Sequence, residues 1–224
     1  MKNYQYLNIK GTNLEEAQLE NYLIQLAEEH VISKQSEKNT YPIKKVEENF
    51  NNILETYELL NKHLKLGIKV HSAGEWLLDN FYIIEEIVRN IQKSMTVKKY
   101  IKLPGIANGK HKGFARVYVL ASEIIAFSDE SISEGKIIKA INSYQTRKIL
   151  SMEEIWNIGI FMEIAIIQKI SDICDKIYYS QIQKYKVENI YERLVELKPS
   201  PERVFKEKIK NKKQIEDLNY SFIE

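Results

Sequence analysis

The chemistry most open to this chain rests on two carboxylates, Glu75 and Asp79, in the run Glu75-Trp76-Leu77-Leu78-Asp79-Asn80-Phe81-Tyr82. On a helix, at about 100° per residue, their i, i+4 spacing puts both on one face. Leu77, Phe81, Ile84, Val88 and Ile91 then form a core-facing stripe, with Glu75, Asp79, Tyr82 and Glu86 on the opposite side. Two carboxylates so placed repel slightly when exposed. A cation, a basic partner or a hydrogen-bonding ligand between them would relieve the repulsion. A solvated acidic face, or pairing within the chain, is the simpler reading. To serve as the acid and base of a stand-alone enzyme, the pair would need an open cleft.

Arg116 and Glu123 are the next candidates, because they interrupt the otherwise apolar run 114–127. A partly buried charge needs a partner, since leaving it unpaired costs several kcal/mol. The expectation is that Arg116 pairs with Asp79 or Glu75 and ties two helices together. Trp76 and Trp156 could stack on sugar rings, but both neighbour apolar helical positions, which reads as core packing. The ligand set assembled in this way is Glu75, Trp76, Asp79, Asn80, Tyr82, Arg116 and Trp156, with structural pairing as the competing role.

Nothing else in the sequence points to a reaction centre. It contains no Walker phosphate loop, no GxGxxG, no HExxH, no CxxC and no GxSxG. His30, His63, His71 and His111 are isolated and read as loop or surface residues. Cys174 falls in the series Ile170, Ile173, Cys174, Ile177, where it reads as a small buried hydrophobe. A lone cysteine permits no internal disulfide and fits a reducing compartment. No catalytic residue, metal site or cofactor is therefore assigned.

Positioning such residues falls to helices. The 224 residues include 8 Gly and 4 Pro, too few for a turn-rich β fold, and Leu, Ile, Lys, Glu and Gln dominate long segments. The 33 basic and 31 acidic residues nearly cancel, which argues against a nucleic-acid binder. The basic tracts Lys98-Lys99 and 206–213 read as solvated surface. The most apolar run, 158–167, is too short to span a bilayer and contains Glu163, so a soluble chain without membrane insertion is expected.

The periodicity predicts an all-α bundle of six to seven helices. The capping box Thr12-Asn13-Leu14-Glu15 should open the first, and residues 33–39 form a loop. The chain reads as one domain, 1–224, in which that loop allows residues 1–39 to be a loosely attached N-terminal helix. Pro42 and Gly67 bracket a second helix, and Ser72 should cap a third that runs to about Ser94. Residues 96–113 carry Pro104, Gly105, Asn108-Gly109 and Gly113 and read as an irregular connection. Helices follow over 114–127 and from Ser133. The capping box Ser151-Met152-Glu153-Glu154 opens the longest segment, reaching towards Leu197 before Pro199 and Pro201. Residues 155–167, apolar nearly all round, should be the central helix. A charged last helix is expected over 202–218. The apolar-leaning end at 220–224 reads as the start of a further element, so the chain is expected to be a piece of a larger protein.

The run 75–82 with Glu85-Glu86 resembles a signature near the N-terminus of cyclic β-1,2-glucan synthases, very large NdvB/ChvB-type glycosyltransferases. Weaker stretches follow in the same order. They are Leu103-Pro104 with Gly113, Arg116-Val117-Tyr118 with Glu123-Ile124-Ile125, Glu154-Ile155-Trp156, Ala165 to Ile170, and Pro199 to Phe205. Two positions depart from the family pattern: Ala115 stands where a proline is usual, and Phe127-Ser128-Asp129-Glu130 where a His-Thr-Asp-Gly turn is frequent. The resemblance implies a parent that polymerises glucose from UDP-glucose into β-1,2-glucan and cyclises it. It also implies that the glycosyltransferase, transmembrane and phosphorylase-like regions lie downstream of this stretch. No catalytic residue carries over. The expected role is a non-catalytic, cytoplasmic N-terminal helical domain that packs on or regulates those regions, its partners, with the parent at the inner membrane. A β-glucan-binding module using Trp76, Tyr82, Asp79 and Glu75 is the alternative.

Overall fold

The computed structural model describes residues 5–7, 14–128 and 133–195, with side chains to residue 183. Helices α1 (Glu16–Glu29), α2 (Ile43–Lys65), α3 (Ser72–Ser94), α4 (Val97–Tyr100), α5 (Arg116–Phe127), α6 (Glu134–Gln145) and α7 (Met152–Val195) follow in chain order. The expected all-α bundle is what forms. Among the described residues one short antiparallel ladder joins β1 (Ile32–Ser33) to the sequence-distant β2 (Gly105–Ile106), with Ile32 opposite Ile106.

Local chemistry explains most of the boundaries. Pro42 occupies the N-cap of α2, and Gly67 ends that helix with φ 70°, a left-handed position that glycine takes without strain. Ser133 caps α6 by accepting from Lys136 N–H. Ser151 and Glu154 form the anticipated reciprocal box, with Ser151 N–H donating to Glu154 at 2.8 Å and Glu154 N–H to Ser151 Oγ at 3.3 Å. Two starts differ from expectation. α1 begins at Glu16, with Gln18 Oε1 accepting from Glu15 N–H, so Glu15 occupies the cap position and Thr12 falls outside the described residues. α3 is capped by the backbone of His71, whose carbonyl accepts from Gly74 and Glu75, and Ser72 is already helical.

The connection 96–113 is more ordered than its glycines suggest. Thr96 caps α4, and Gly105 supports both β2 and an isolated bridge to Ala115. A Cβ at Gly105 would meet Gln35 O at 2.6 Å, so only glycine allows the ladder to close there. This bridge holds Ala115 extended (φ −60°, ψ 129°), and α5 starts after it at Arg116 and not at Phe114.

The central helix is α5, with ten of its 12 residues buried, and not the run 155–167. α5 packs chiefly on α7, α7 also on α2 and α3, and α1 on α6. Tyr118 stacks on Phe161 at 5.3 Å, and Tyr57 on Phe81 at 4.0 Å. Each fully buried Leu or Ile in this core contributes about 1.5–3 kcal/mol. α7 buries Phe161, Ile164, Ala165, Ile167 and Cys174, but its Ile155, Ile166 and Ile173 face outwards. Among the described residues no helix is long and apolar enough to cross a membrane. The expected helix over 202–218, the tract 206–213 and the end 220–224 lie outside the described residues.

Candidate functional site

Polar groups gather in two places: a buried seam around α5, and an open face shared by α3 and α7. Arg116 opens the seam. It is 5% exposed and Glu154 is 0% exposed, so both charges have left water. Arg116 Nε donates to Glu154 Oε1 at 2.8 Å and Nη2 to Oε2 at 2.5 Å, the paired geometry that suits guanidinium and carboxylate. Nη2 also donates to Ile149 O at 3.2 Å. Arg116 therefore has a carboxylate partner, but it is Glu154 of α7 and neither Asp79 nor Glu75. The α7 capping box and the ion pair share one carboxylate, which locks the start of α7 to the start of α5.

Further along the seam, His30 at the end of α1 shares a 2.8 Å hydrogen bond between Nδ1 and Tyr144 OH of α6. The His111 ring lies 5.9 Å from that of His30. Burial first, and then the neighbouring cationic groups, pushes His30 down to about 4. Burial and Lys110 do the same to His111, also about 4. Both rings are neutral at pH 7. His30, His63 and His111 are thus core histidines, contrary to their reading as loop residues; only His71 is exposed. Glu123 accepts from Tyr22 OH at 2.8 Å and lies 3.8 Å from Lys110 Nζ and 3.5 Å from His111 Nε2. Burial and Glu123 push the Tyr22 hydroxyl well above its usual value. Glycine spacing around residue 109 hinted at a turn, but no sequence signal placed these histidines in the interior.

This arrangement holds structure more than it offers reactivity. Glu123 and Glu154 are already engaged, and imidazoles near pKa 4 are weak bases at neutral pH. Among the described residues no group of three His, Cys, Asp or Glu could hold a metal ion. Burial pushes the Cys174 thiol up to about 12, so it is no nucleophile.

The second place collects the other sequence-chosen residues. Glu75, Asp79 and Tyr82 are exposed on α3, and Asn80 is half-buried with its side chain bonded back to Trp76 O at 2.8 Å. Trp76 is 52% and Trp156 75% exposed, so neither is the core residue its neighbours implied. α3 and α7 run side by side in opposite directions. Asn90 of α3 meets Glu163 of α7, while His71 and Gly74 face Ile177 and Gln181. Trp76 therefore lies close to the level of Ile177, and Trp156 roughly 30 Å away along the axis, at about 1.5 Å per residue. The ligand set does not converge: it divides into an α3 ridge, a distant Trp156 and a buried Arg116.

The ridge lies beside a row of exposed apolar residues on α7. Met152, Ile155, Trp156, Gly159, Ile166 and Ile173 are exposed on α7 within a sector of about 100°. The Glu163–Asn90 contact brings that sector beside exposed Trp76 and Ile83 of α3. Glu75, Asp79, Glu86 and Glu153 fringe it, all exposed. Glu163 sits within it, its carboxyl raised by burial. In sequence these positions look like core positions; α7 packs on α5, α2 and α3 with its other sides, and these residues are left exposed.

No protein-family profile matches the chain. Over 150 residues, 67% of this chain, it is 22% identical to the cyclic β-(1,2)-glucan synthase NdvB of Rhizobium meliloti strain 1021. The matched stretch is 5% of that protein's length, so the chain corresponds to a small part of it. The likeness supports a distant relationship to cyclic β-glucan synthase.

Proposed function

We propose that the chain is a non-catalytic helical domain of a cyclic β-1,2-glucan synthase-like glycosyltransferase, packing on and regulating the UDP-glucose-dependent catalytic regions of the same parent. The observation that supports this reading is the grouping of Met152, Trp156, Ile166, Ile173, Trp76 and Ile83, all exposed, on neighbouring sides of α3 and α7, whereas Val31, Leu64, Ile138 and Ile149 are exposed elsewhere. Exposed apolar residues grouped on one side of a fold are a common mark of an interaction site. Its occupant in this reading is a helical surface of the parent chain, whose basic residues meet the acidic fringe. The domain sits on the cytoplasmic side, with the parent at the inner membrane.

Ile166→Asp with Ile173→Asp in the natural protein tests the reading. The expected result is loss of most glucan synthesis while the isolated 224-residue chain carrying the same changes folds normally. Full synthesis by the double variant, or glucose transfer from UDP-glucose by the isolated chain, refutes it.

Exposure of both tryptophans favours a second reading, a β-glucan-binding module in which one indole stacks on a sugar ring. Their separation of roughly 30 Å along α7, at about 1.5 Å per residue, means one sugar unit meets only one of them. Titration calorimetry with β-1,2-gluco-oligosaccharides decides: heat that disappears in Trp76→Ala or Trp156→Ala supports it, and no heat at millimolar ligand rejects it.

A further inference from the structure

α1 and α6 form a pair that leans lightly on the rest of the fold. α1 packs chiefly on α6, and each of them meets α5 much less. Two ion pairs between exposed side chains, Glu16 with Lys139 and Glu28 with Arg147, tie α1 to α6 independently of the seam. Across the seam, Leu14 N–H donates to Phe127 O, Tyr22 OH donates to Glu123, and the Asn108 side chain bonds Glu29 O and Val31 N–H.

Between these contacts lie two imidazoles, one on each side. His30 belongs to the α1–α6 pair through its bond to Tyr144 OH, and His111 belongs to the connection before α5. Their ring centres are 5.9 Å apart. His30 is 4% exposed, and among the described residues its Nε2 is buried without a hydrogen-bond partner. A protonated imidazole donates from both nitrogens, so a proton added here leaves an N–H with no acceptor in a dry site. The surrounding charges add to that cost. His111 and Lys110 from the connection, Arg116 from α5 and Lys148 beyond α6 all oppose a positive charge on His30. Glu154 of α7 is committed to Arg116. Glu123 of α5, 3.5 Å from His111 Nε2, already accepts from Tyr22 and faces Lys110.

We propose that His30 and His111 form an acid-sensitive latch, whose protonation drives α1 and α6 away from α5 as one unit while α2, α3, α5 and α7 stay packed. Opening gives both rings water and separates their charges. The α5–α7 junction, built on Arg116 with Glu154 and on Tyr118 against Phe161, keeps the remainder together. Burial first, then the neighbouring cations, holds both rings near 4 in the closed form, and open they return to about 6.5. Closure is therefore at full strength above about pH 6.5 and is lost as pH falls towards 4. Between pH 7.5 and 5.0 each released imidazole favours the open form by about 30-fold, and the two together by up to roughly 900-fold. The latch works within the chain and does not depend on the docking role given to the α7 face.

Native-state hydrogen exchange of the full 224-residue chain at pH 7.5 and 5.0, corrected for the intrinsic pH dependence of exchange, tests it. Protection of α1 and α6 should fall together by at least about 30-fold at the lower pH, through an opening that depends little on urea. α5 and α7 should remain at least about tenfold better protected at pH 5.0, because they exchange only through a larger unfolding. His30→Gln with His111→Gln removes both titrating rings and keeps neutral hydrogen-bonding side chains. In that variant α1 and α6 should change by less than about threefold between the two pH values. Imidazole NMR of the wild type gives a second readout: His30 should take up its proton over the pH range in which α1 and α6 lose protection. Equal protection of all four helices at pH 5.0, or an undiminished pH response in the double variant, overturns the proposal. So does a His30 that takes up its proton while α1 and α6 stay protected.

Discussion

Glu154→Gln removes one charge from the most buried ion pair among the described residues and leaves its shape nearly unchanged. In the wild type the Glu154 carboxylate accepts from Arg116 Nε and Nη2, and from Ser151 N–H and Oγ. A glutamine retains one acceptor oxygen and turns an NH2 group towards donors. Arg116, at 5% exposure, keeps its charge without compensation. Breaking a buried pair from one side costs about 3–5 kcal/mol. At about 2–4 °C per kcal/mol for a chain of this size, the midpoint should fall by roughly 6–20 °C. Denaturant unfolding followed by circular dichroism measures the loss directly. The double variant Arg116→Met, Glu154→Leu removes both charges, and should recover to within about 2 kcal/mol of wild type. If Glu154→Gln lies within about 1 kcal/mol of wild type, the pair is solvated and the account of the α5–α7 junction is wrong.

Other consequences follow from the same geometry. His30 and His111 titrate near 4 when folded and near 6.5 when unfolded, so the unfolded chain takes up protons first as pH falls. Stability should be full above about pH 6.5 and decline towards pH 4, by roughly 1–3 kcal/mol per histidine; equal urea midpoints at pH 7.5 and 5.0 would contradict this. Tyr100→Phe deletes the hydroxyl that accepts from Ala115 N–H at 3.1 Å and bonds Thr40 Oγ1 at 2.9 Å, and should cost about 1–3 kcal/mol in urea unfolding. Cys174, buried with its thiol near 12, should resist a disulfide reagent in the folded chain and react once unfolded; fast labelling of the native chain would count against its burial. Trp156→Ser should leave stability within about 0.5 kcal/mol, because the indole supports no core contact that matters; a larger loss would place it in the core.

Helices whose signals are local were legible in the sequence. Pro42 with Gly67, Ser133, and Ser151 with Glu154 each mark an end through backbone chemistry that operates within one turn. The stripe Leu77, Ile84, Val88 and Ile91 and the buried Cys174 also follow from periodicity, whereas the identity of the elements that meet does not. The run 155–167 and the run 116–127 look alike in composition, and only packing shows that α5 is enclosed while α7 keeps an open side. The same fact moved Trp156 from expected core to surface. The partner of Arg116 is hidden for the same reason: the sequence shows Glu154 only as part of a capping box, and nothing local reveals that its carboxylate also pairs with Arg116. β1 and β2 are two residues each, far below the length at which alternation can be read. The interior histidines His30 and His111 sit beside turns in sequence, and become buried only through long-range contacts to Tyr144 and Glu123.

Hydroxyl-radical footprinting of Met152, Trp156 and Trp76, resolved by peptide mass spectrometry, compares the isolated chain with the natural protein. The docking account predicts rapid oxidation of all three in the isolated chain, and protection of Met152 and Trp156 by about an order of magnitude in the natural protein, as expected when exposed apolar side chains become interface core. Equal oxidation in both would show that the α7 face stays uncovered and would contradict the proposed role.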